Sequence, residues 1–394
     1  MILTRVKLLN YRNLSNLSLE FSPKINIFLG RNGQGKTNLL EALSYLAMGR
    51  SHRGAKDREL IRFGSDHLHL KVEGRDREGE DFSLEAALTT QGKKRIKIDG
   101  STIARNTELV GRLSAVLFHP DEIALAKGSP EHRRRFLDLT LSVVVGSYFQ
   151  NLIGYRRALA QKNRLLKSRQ FATERELAVW DAELVQYGTP VILLRRQLLS
   201  ALERACQNAY SALAPGGGSL KMELVPSFRP LNSPGDEVDE ASFWKTEFLN
   251  ALGEGRARER RLGFAQIGPH RDRLELRLEG RALRRFGSQG EMRSAAIALK
   301  LGQAALIYER TKERPVVLLD DIFSELDQQR ARALQSLLHH EHQLFIATAR
   351  LDDVVGMRDW EDLKVWLVHE GTLEAIDDLR SLESHFEPGE PERE

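Results

Sequence analysis

Residues Gly30-Arg-Asn-Gly-Gln-Gly-Lys-Thr37 match the pattern G-x-x-x-x-G-K-[ST], and this segment decides how the rest of the chain is interpreted. Glycines let a backbone wrap around a phosphate and aim its N–H groups inward, a lysine neutralises the β and γ oxygens, and a threonine hydroxyl can bind Mg²⁺. A strand-like run at 24–29 precedes the segment, and an apolar-striped helix begins within a residue or two of Lys36. We therefore predict a P-loop between a strand and a helix, with a plain glycine-rich turn as the alternative.

The P-loop assignment predicts ATP and Mg²⁺ as the cofactors. Lys36 is expected to act in catalysis as well as in binding, and Thr37 is expected to coordinate the metal. The nucleotide-binding residues predicted in this segment are Gly30, Arg31, Asn32, Gly33, Gln34, Gly35, Lys36 and Thr37.

A P-loop needs a carboxylate at the end of a buried strand, and Pro315-Val-Val-Leu-Leu-Asp320-Asp321 provides one. We predict Asp320 as a Mg²⁺ ligand and Asp321 as the catalytic base that orients the attacking water. An apolar run ending in two acids is common by itself, so its significance depends on the P-loop. About 280 residues separate the two motifs, which indicates that other structure has been inserted between them.

The pattern of apolar residues divides the chain. Short strand-like runs dominate up to about residue 130, helical periodicity follows, and the strand signal returns after about residue 261. The helical stretch has few breakers, and the kinks are expected at Gly146, Gly154, Gly188 and Pro190. We therefore predict an α/β ATPase head that is split in sequence by an inserted, mainly helical lobe: 1–130 and 262–380 form the head, 131–261 the lobe and 381–394 an acidic tail.

Charge gives a weaker indication of function. The 394 residues contain 59 Lys plus Arg and 55 Asp plus Glu, a formal net charge of +4 that is too even to mark the whole chain as a nucleic-acid binder. Arg outnumbers Lys by 43 to 16, which suits phosphate recognition but also arises from GC-rich coding bias. Residues 256–293 contain eleven Arg and five acids, or +6. For DNA phosphates we favour Arg53, Lys56, Arg58 and the basic cluster of the helical lobe, which begins at Arg133.

Cysteine content and hydropathy bear on location. A single cysteine, Cys206, forbids an intrachain disulfide and a multi-cysteine metal site. Charges at Arg5 and Lys7 interrupt the first apolar residues, and no run approaches about 20 apolar residues. We therefore expect a cytoplasmic protein without a membrane partner.

The order of the motifs carries a family resemblance. Between the P-loop and the acidic strand stands Ser288-Gln-Gly290 at the start of a helix, and after the strand comes Ser324-Glu-Leu-Asp327. This order resembles the ABC-type ATPases of DNA repair and chromosome maintenance, the SMC and Rad50 group. The resemblance implies an ABC-type head, with Ser288 and Gly290 of one subunit binding in trans the nucleotide held by another subunit of a homodimer.

Within that group the sequence is most similar to the RecF family of recombination mediators. The similar blocks, in order, are 8–14, 118–122 with 128–138, 268–272, 288–290 and 319–327. The resemblance implies that Arg12 binds nucleotide, and it places Asp321 where related ATPases carry Glu, which fits a slow ATPase. Thr348 stands near the position of a histidine in transporter ATPases, where it is expected to sense the γ-phosphate. Two residues depart from the RecF pattern: Glu291 replaces Gln and Arg273 replaces Asp.

The RecF resemblance implies an ATP-dependent switch with weak, DNA-stimulated ATPase activity. ATP would draw two copies together on duplex DNA or on single-strand/duplex junctions, without sequence preference, and hydrolysis would release them. The implied protein partners are RecR and RecO, with RecA loaded downstream. The alternatives are a motor or transporter ATPase and a structural module that binds nucleotide without significant turnover.

Overall fold

The computed structural model describes residues 1–168, 173–230, 239–339, 341–355, 357 and 360–376. The chain forms two compact units, which we call the first unit (Met1–Glu122 with Ile307–Glu394) and the second unit (Ile123–Leu306). Residues 262–306, placed in the ATPase head by sequence, lie in the second unit. The sequence-based domain bounds stay a prediction, and the expected acidic tail, 381–394, lies outside the described residues.

The described part of the chain contains fifteen strands and ten α-helices. The strands are β1 (Ile2–Tyr11), β2 (Leu14–Glu20), β3 (Ile25–Leu29), β4 (His67–Arg75), β5 (Asp81–Thr89), β6 (Lys94–Ile98), β7 (Ser101–Thr102), β8 (Ala115–Phe118), β9 (Leu220–Val225), β10 (Arg273–Leu278), β11 (Arg281–Ala282), β12 (Val316–Asp320), β13 (Leu344–Thr348), β14 (Leu363–His369) and β15 (Thr372–Ile376). The helices are α1 (Lys36–Met48), α2 (Ile123–Lys127), α3 (Pro130–Val144), α4 (Gly146–Lys167), α5 (Glu174–Leu213), α6 (Glu240–Leu262), α7 (Leu283–Phe286), α8 (Gln289–Thr311), α9 (Gln328–Leu338) and α10 (Leu351–Val355).

A mostly parallel sheet positions the site in the first unit. Its strand order is β15-β14-β3-β13-β12-β8, and only the β14–β15 pair is antiparallel. Strands β3, β12 and β13 are buried along their whole length, which explains why their sequences are continuous rather than alternating apolar runs. Because neighbouring parallel strands end at the same edge, the residues that follow β3, β12 and β13 meet there.

A second, antiparallel sheet completes the first unit. Its order is β2-β1-β4-β5-β6-β7, and β4 alternates between exposed or half-buried and buried residues as a one-sided sheet requires. Apolar side chains of this sheet, of α1 and of the parallel sheet form one core. That core fixes the helix that follows the P-loop.

The second unit consists mainly of helices α2–α7 and a three-stranded sheet in the order β11-β10-β9. Helix α4 starts at Gly146, whereas Gly154, Gly188 and Pro190 lie inside α4 and α5, and kinks at these three residues stay a prediction. Packing explains the two glycines: a side chain at Gly154 would meet the Tyr187 ring at 2.5 Å, and one at Gly188 would meet Phe248 at 2.7 Å. None of the helices in the described ranges is both long and apolar enough to cross a lipid bilayer.

Candidate nucleotide-binding site

The predicted P-loop connects β3 to α1, as expected. Gly33 has φ +82° and Gly35 has φ +121°, conformations that side chains disfavour. A Cβ at Gly35 would also lie 2.9 Å from the Asn13 amide nitrogen. Glycine is therefore required at position 35 both by backbone conformation and by packing, and the turn leaves the N-terminal amides of α1 available for an anion.

Lys36 lies over the loop that it follows. Its ammonium donates to the carbonyl oxygens of Gly30 at 2.6 Å and Arg31 at 2.9 Å, and the side chain is buried. Burial lowers the pKa of Lys36, while Asp321 and Asp320 act in the opposite direction. The ammonium is thus held against the backbone of the loop, in which Arg31 and Asn32 are exposed and Gln34 is half-buried.

Thr37 and Asp320 are brought together from opposite ends of the chain. The Thr37 hydroxyl donates to Asp320 Oδ1 at 2.8 Å, and Asp320 is buried at the end of β12. Burial raises the pKa of Asp320, against the hydrogen bond from Thr37 and the nearby His119. His119 Nε2 lies 3.6 Å from Asp320 Oδ2.

The donor set fits Mg²⁺. A hydroxyl and a carboxylate are the hard oxygen ligands that Mg²⁺ prefers, and this ion is usually held by one or two protein carboxylates together with substrate phosphates. The described residues contain no group of three His, Cys, Asp or Glu able to hold a metal by themselves.

Asp321 follows Asp320 in a left-handed conformation, with φ +52°. Within the described part of the chain, its buried Oδ1 has no hydrogen-bond partner. An unpaired buried carboxylate oxygen beside the metal ligand is suited to accept a bond from water or a bound ligand. The role of Asp321 as general base stays a prediction.

Thr348 is predicted to sense the γ-phosphate of the nucleotide. It is buried at the end of β13, and its carbonyl accepts from the Gly30 amide at 3.2 Å, so it lies beside the P-loop. Its hydroxyl donates to Asp353 Oδ2 at 2.6 Å, so its proton is already engaged. A role for Thr348 in sensing the γ-phosphate stays a prediction.

Arg12 reaches the same region through a network that the sequence did not reveal. It donates to both oxygens of the buried Glu41 on α1, and Ser51 donates to Glu41 Oε1 at 2.5 Å. The neighbouring Asn13 donates to the Gln34 carbonyl at 2.9 Å. A single acid inside the apolar helix after the P-loop is the signal that would have identified Glu41.

A groove of about 590 Å³ borders this network in the first unit. It is lined by Arg12, Arg53 and Arg58 among others, and Phe63 at its edge is fully exposed. Two of the three residues favoured for DNA after the P-loop helix, Arg53 and Arg58, therefore lie in one groove next to the site. Lys56 lies in the same connection, and its backbone N–H donates to Glu59.

The residues predicted to act in trans, Ser288 and Gly290, lie in the second unit at the start of α8. Ser288 Oγ accepts from the Glu291 amide at 3.2 Å, and Glu291 Oε2 accepts from the Ser288 amide at 2.7 Å. This reciprocal pair is a capping box. Glu291, which departs from the RecF pattern, thus fixes the turn that carries Ser288.

Comparisons with known proteins agree with this geometry. The model of the RecF/RecN/SMC N terminal domain family matches residues 2–371. The DNA replication and repair protein RecF of Lachnoclostridium phytofermentans is 36% identical over 376 residues, 95% of this chain and 99% of that protein. The RecF of Lactobacillus delbrueckii subsp. bulgaricus is 37% identical, over 95% and 97% of the two chains.

Solved structures show the same fold. A structure of the recombination mediator protein RecF with ATP, in the RecFOR pathway, superposes with a TM-score of 0.85 at 30% identity, covering 95% of this chain and 97% of that one. An Smc head domain with an extended coiled coil from Pyrococcus furiosus gives a TM-score of 0.57 at 17% identity over 98% of both chains, a likeness of fold alone.

These matches confirm the predicted fold class, an ABC-type α/β head with helical content, and the resemblance on which it was based. The family model spans nearly the whole chain, and the RecF relatives cover it at more than 30% identity. The chain therefore belongs to the RecF/RecN/SMC N terminal domain family and, within it, to the RecF proteins.

Proposed function

We propose that the protein is an ATP-dependent DNA-binding switch of recombinational repair and replication-fork maintenance. One observation carries this proposal: the Thr37–Asp320 hydrogen bond beside the buried Lys36. The hydroxyl and the carboxylate are oxygen donors of the kind that Mg²⁺ prefers, and the neighbouring ammonium suits the phosphates, which supports an ATP site.

In the proposed cycle, two copies dimerise on DNA when each has bound ATP. Ser288 and Gly290 of one copy bind the nucleotide of the other, for which the capped start of α8 is suited because its amides favour an anion. Asp321 orients the attacking water. Its side chain is one methylene shorter than the Glu of related ATPases, which supports slow, DNA-stimulated hydrolysis that releases the dimer. The same substitution makes a nucleotide-binding module without turnover the second candidate.

The proposed partners follow from the relatives. The chain's similarity to RecF proteins, one of them solved in the context of the RecFOR pathway, supports work with RecO and RecR in helping RecA to load. DNA would be bound through its backbone, on duplex or on single-strand/duplex junctions. The cytoplasm is the compartment that this role requires.

Sedimentation of the protein with ATP or ADP, with and without duplex DNA, tests the switch. Wild-type protein is expected to dimerise with ATP and to bind DNA as a dimer. Lys36→Arg should fold normally but lose ATP-driven dimerisation and DNA retention, because the larger guanidinium cannot occupy the ammonium's position against the Gly30 and Arg31 carbonyls. Lys24→Arg, the same change at an exposed lysine, is the control. Unchanged dimerisation of Lys36→Arg would contradict the proposal.

Ser288→Arg separates binding from dimerisation. This variant is expected to bind ATP with normal affinity but to stay monomeric, because Ser288 acts on the nucleotide of the other copy. Ser101→Arg, at an exposed serine of β7, is the matched control. Normal dimerisation of Ser288→Arg would remove Ser288 from the proposed interface, and ATP turnover measured with and without DNA would decide between the switch and the module without turnover.

A further inference from the structure

A groove of about 430 Å³ in the second unit collects arginines from three elements. Its lining includes Arg133 of α3, Arg273 of β10 and the adjacent pair Arg284 and Arg285 of α7, over apolar surface such as Leu276. Glu275 is the one acid among the described lining residues. We call this site the arginine groove.

The arginine groove unites two basic regions that are separate in the sequence. Arg133 belongs to the basic cluster of the helical lobe, and the other three belong to the +6 segment at 256–293. Arg133 is buried and donates to the carbonyls of Leu274 at 2.6 Å and Gly128 at 3.1 Å. It therefore forms the fixed base of the groove, and its charge adds to the potential of the exposed arginines.

Some arginines of the +6 segment, 256–293, are paired with carboxylates, and others are not. Arg256 is engaged by Glu174 and Asp181, and Arg277 by Glu223 at 2.9 Å and Glu275 at 3.5 Å. By contrast, Arg273, Arg284 and Arg285 are exposed and form no ion pair with any carboxylate in the described ranges. Since the acid of the groove is already paired with Arg277, the three exposed guanidiniums carry an uncompensated positive charge.

We propose that the arginine groove binds the phosphate backbone of DNA. This proposal rests on the proposed function, because it names the surface by which the switch would hold its DNA. A guanidinium group can donate two parallel hydrogen bonds to the oxygens of one phosphate. Several guanidinium groups around one groove can therefore bind successive phosphates of a nucleic-acid backbone. The described lining contains no aromatic ring on which a base could stack, so contact is with the backbone and is indifferent to sequence.

Binding of fluorescent duplex DNA across a range of salt concentrations, in the presence of ATP, tests the proposal. Arg273→Ala, Arg284→Ala and Arg285→Ala should each weaken binding several-fold at low salt and lower the slope of log affinity against log salt by about 0.9, because one phosphate contact is lost. Arg75→Ala is the matched control: it loses the same charge at an exposed arginine of β4, outside the groove, that is already paired with Asp81. Arg→Lys at the three groove positions should restore most of the affinity.

The outcomes separate this proposal from the proposed function. If wild-type protein fails to bind DNA with ATP, the proposed function is wrong. If wild-type protein binds but the three variants behave like Arg75→Ala, the groove is not the DNA surface. If the variants keep DNA but lose binding of a polyglutamate peptide, the groove recognises an acidic protein segment and the proposal is overturned. If the alanine variants lose ATP-driven dimerisation and the Arg→Lys variants do not restore it, the groove is a contact between subunits, and the proposal is overturned as well.

Discussion

Arg12 and Glu41 form a two-pronged ion pair, with Arg12 Nε and Nη2 each 3.0 Å from a different carboxylate oxygen. Glu41 is completely buried on α1, whereas Arg12 is partly exposed at the end of β1. The pair connects the antiparallel sheet to the helix that follows the P-loop. Arg12 is predicted to bind nucleotide, and its orientation thus depends on Glu41, which is not itself a predicted nucleotide-binding or metal-binding residue.

Glu41→Gln is expected to weaken both stability and nucleotide binding. Burial by itself would raise the pKa of Glu41, but the hydrogen bonds from Arg12 and Ser51 outweigh it and the pKa lies below its usual range. The charged form therefore stabilises the fold at neutral pH, and this contribution is lost as pH falls below about 4.5 through the folded pKa. Removing the charge should lower the free energy of unfolding by about 2 kcal/mol at pH 7. Urea denaturation and ATP binding measure the two effects.

Glu20→Gln provides the control for Glu41→Gln. Glu20 also pairs with an arginine, Arg5, but at the surface, so its replacement should lower the free energy of unfolding far less than that of Glu41. Equal losses in the two variants would show that the buried pair contributes no more than an exposed one.

Asp320→Asn is expected to stabilise the nucleotide-free protein while abolishing Mg²⁺-dependent ATP binding. Burial raises the pKa of Asp320, so the folded state binds more protons than the unfolded state between the usual pKa of 3.8 and the folded value. Stability from this group is therefore present at low pH and is lost as pH rises through the folded pKa. A neutral amide avoids that loss and keeps an acceptor for Thr37, but it is a poor Mg²⁺ ligand.

Thermal unfolding without nucleotide, compared from pH 4 to pH 8, measures the first effect, and isothermal titration with Mg-ATP measures the second. Asp81→Asn, at an exposed surface aspartate, should change neither. A variant less stable than wild type at pH 8 would contradict this account of Asp320.

Gly30→Ala is expected to destabilise the protein more than Gly33→Ala, even without nucleotide. A Cβ at Gly30 would overlap the Val368 carbonyl oxygen of β14, so the neighbouring strand must move, at about 1–3 kcal/mol. A Cβ at Gly33 meets nothing within 4 Å, and only its φ of +82° opposes alanine, at about 1 kcal/mol. Chemical denaturation of the two variants gives the comparison, and the reverse order would exclude packing as the reason for glycine at position 30.

The sequence predicted the parts of the site that are local in the chain. Gly30 to Thr37 form a cradle because strand, glycines and helix are adjacent, and periodicity identifies such a unit. The choice of Asp320 as the partner of Thr37 followed from one further rule, that a P-loop needs a carboxylate at the end of a buried strand. Glu41 carries a local signal, a lone acid in an apolar helix, but its pairing with Arg12 and the place of His119 beside Asp320 depend on sheet order and packing.

The arginines illustrate the same limit. Eleven of them lie within 256–293, and composition gives each equal weight. The fold pairs Arg256 and Arg277 with carboxylates, and it leaves Arg273 exposed in the arginine groove. An arginine is neutralised when a carboxylate on another helix or strand lies close to it, as Asp181 does to Arg256. Such contacts between distant segments produce no pattern in the sequence.

Cys206 is expected to resist thiol reagents in the native protein. It is completely buried next to Gly302, and burial raises the pKa of its thiol far above the usual range, so little thiolate forms. Reaction with a thiol-reactive dye should be absent in buffer and should follow the fraction unfolded in urea. Rapid labelling of folded protein, as judged by circular dichroism, would contradict this prediction.

A buried charge cluster in the second unit should show strong coupling. Lys162 Nζ lies 2.5 Å from Asp181 and 2.6 Å from Glu259, and all three side chains are fully buried. Lys162→Met leaves the two carboxylates with fewer partners and should lower the free energy of unfolding by about 3–5 kcal/mol. Lys221→Met, at an exposed lysine paired with Glu203, should cost less than about 1 kcal/mol.

The double variant Lys162→Met/Glu259→Gln is expected to be more stable than Lys162→Met alone. Glutamine removes the negative charge that lysine had balanced, and its carbonyl can still accept from the Gln266 amide, as Glu259 Oε1 does at 2.6 Å. Urea denaturation of wild type, both single variants and the double variant gives the interaction free energy of the pair. If the two single effects simply add, the lysine stabilises this cluster by packing rather than by its charge.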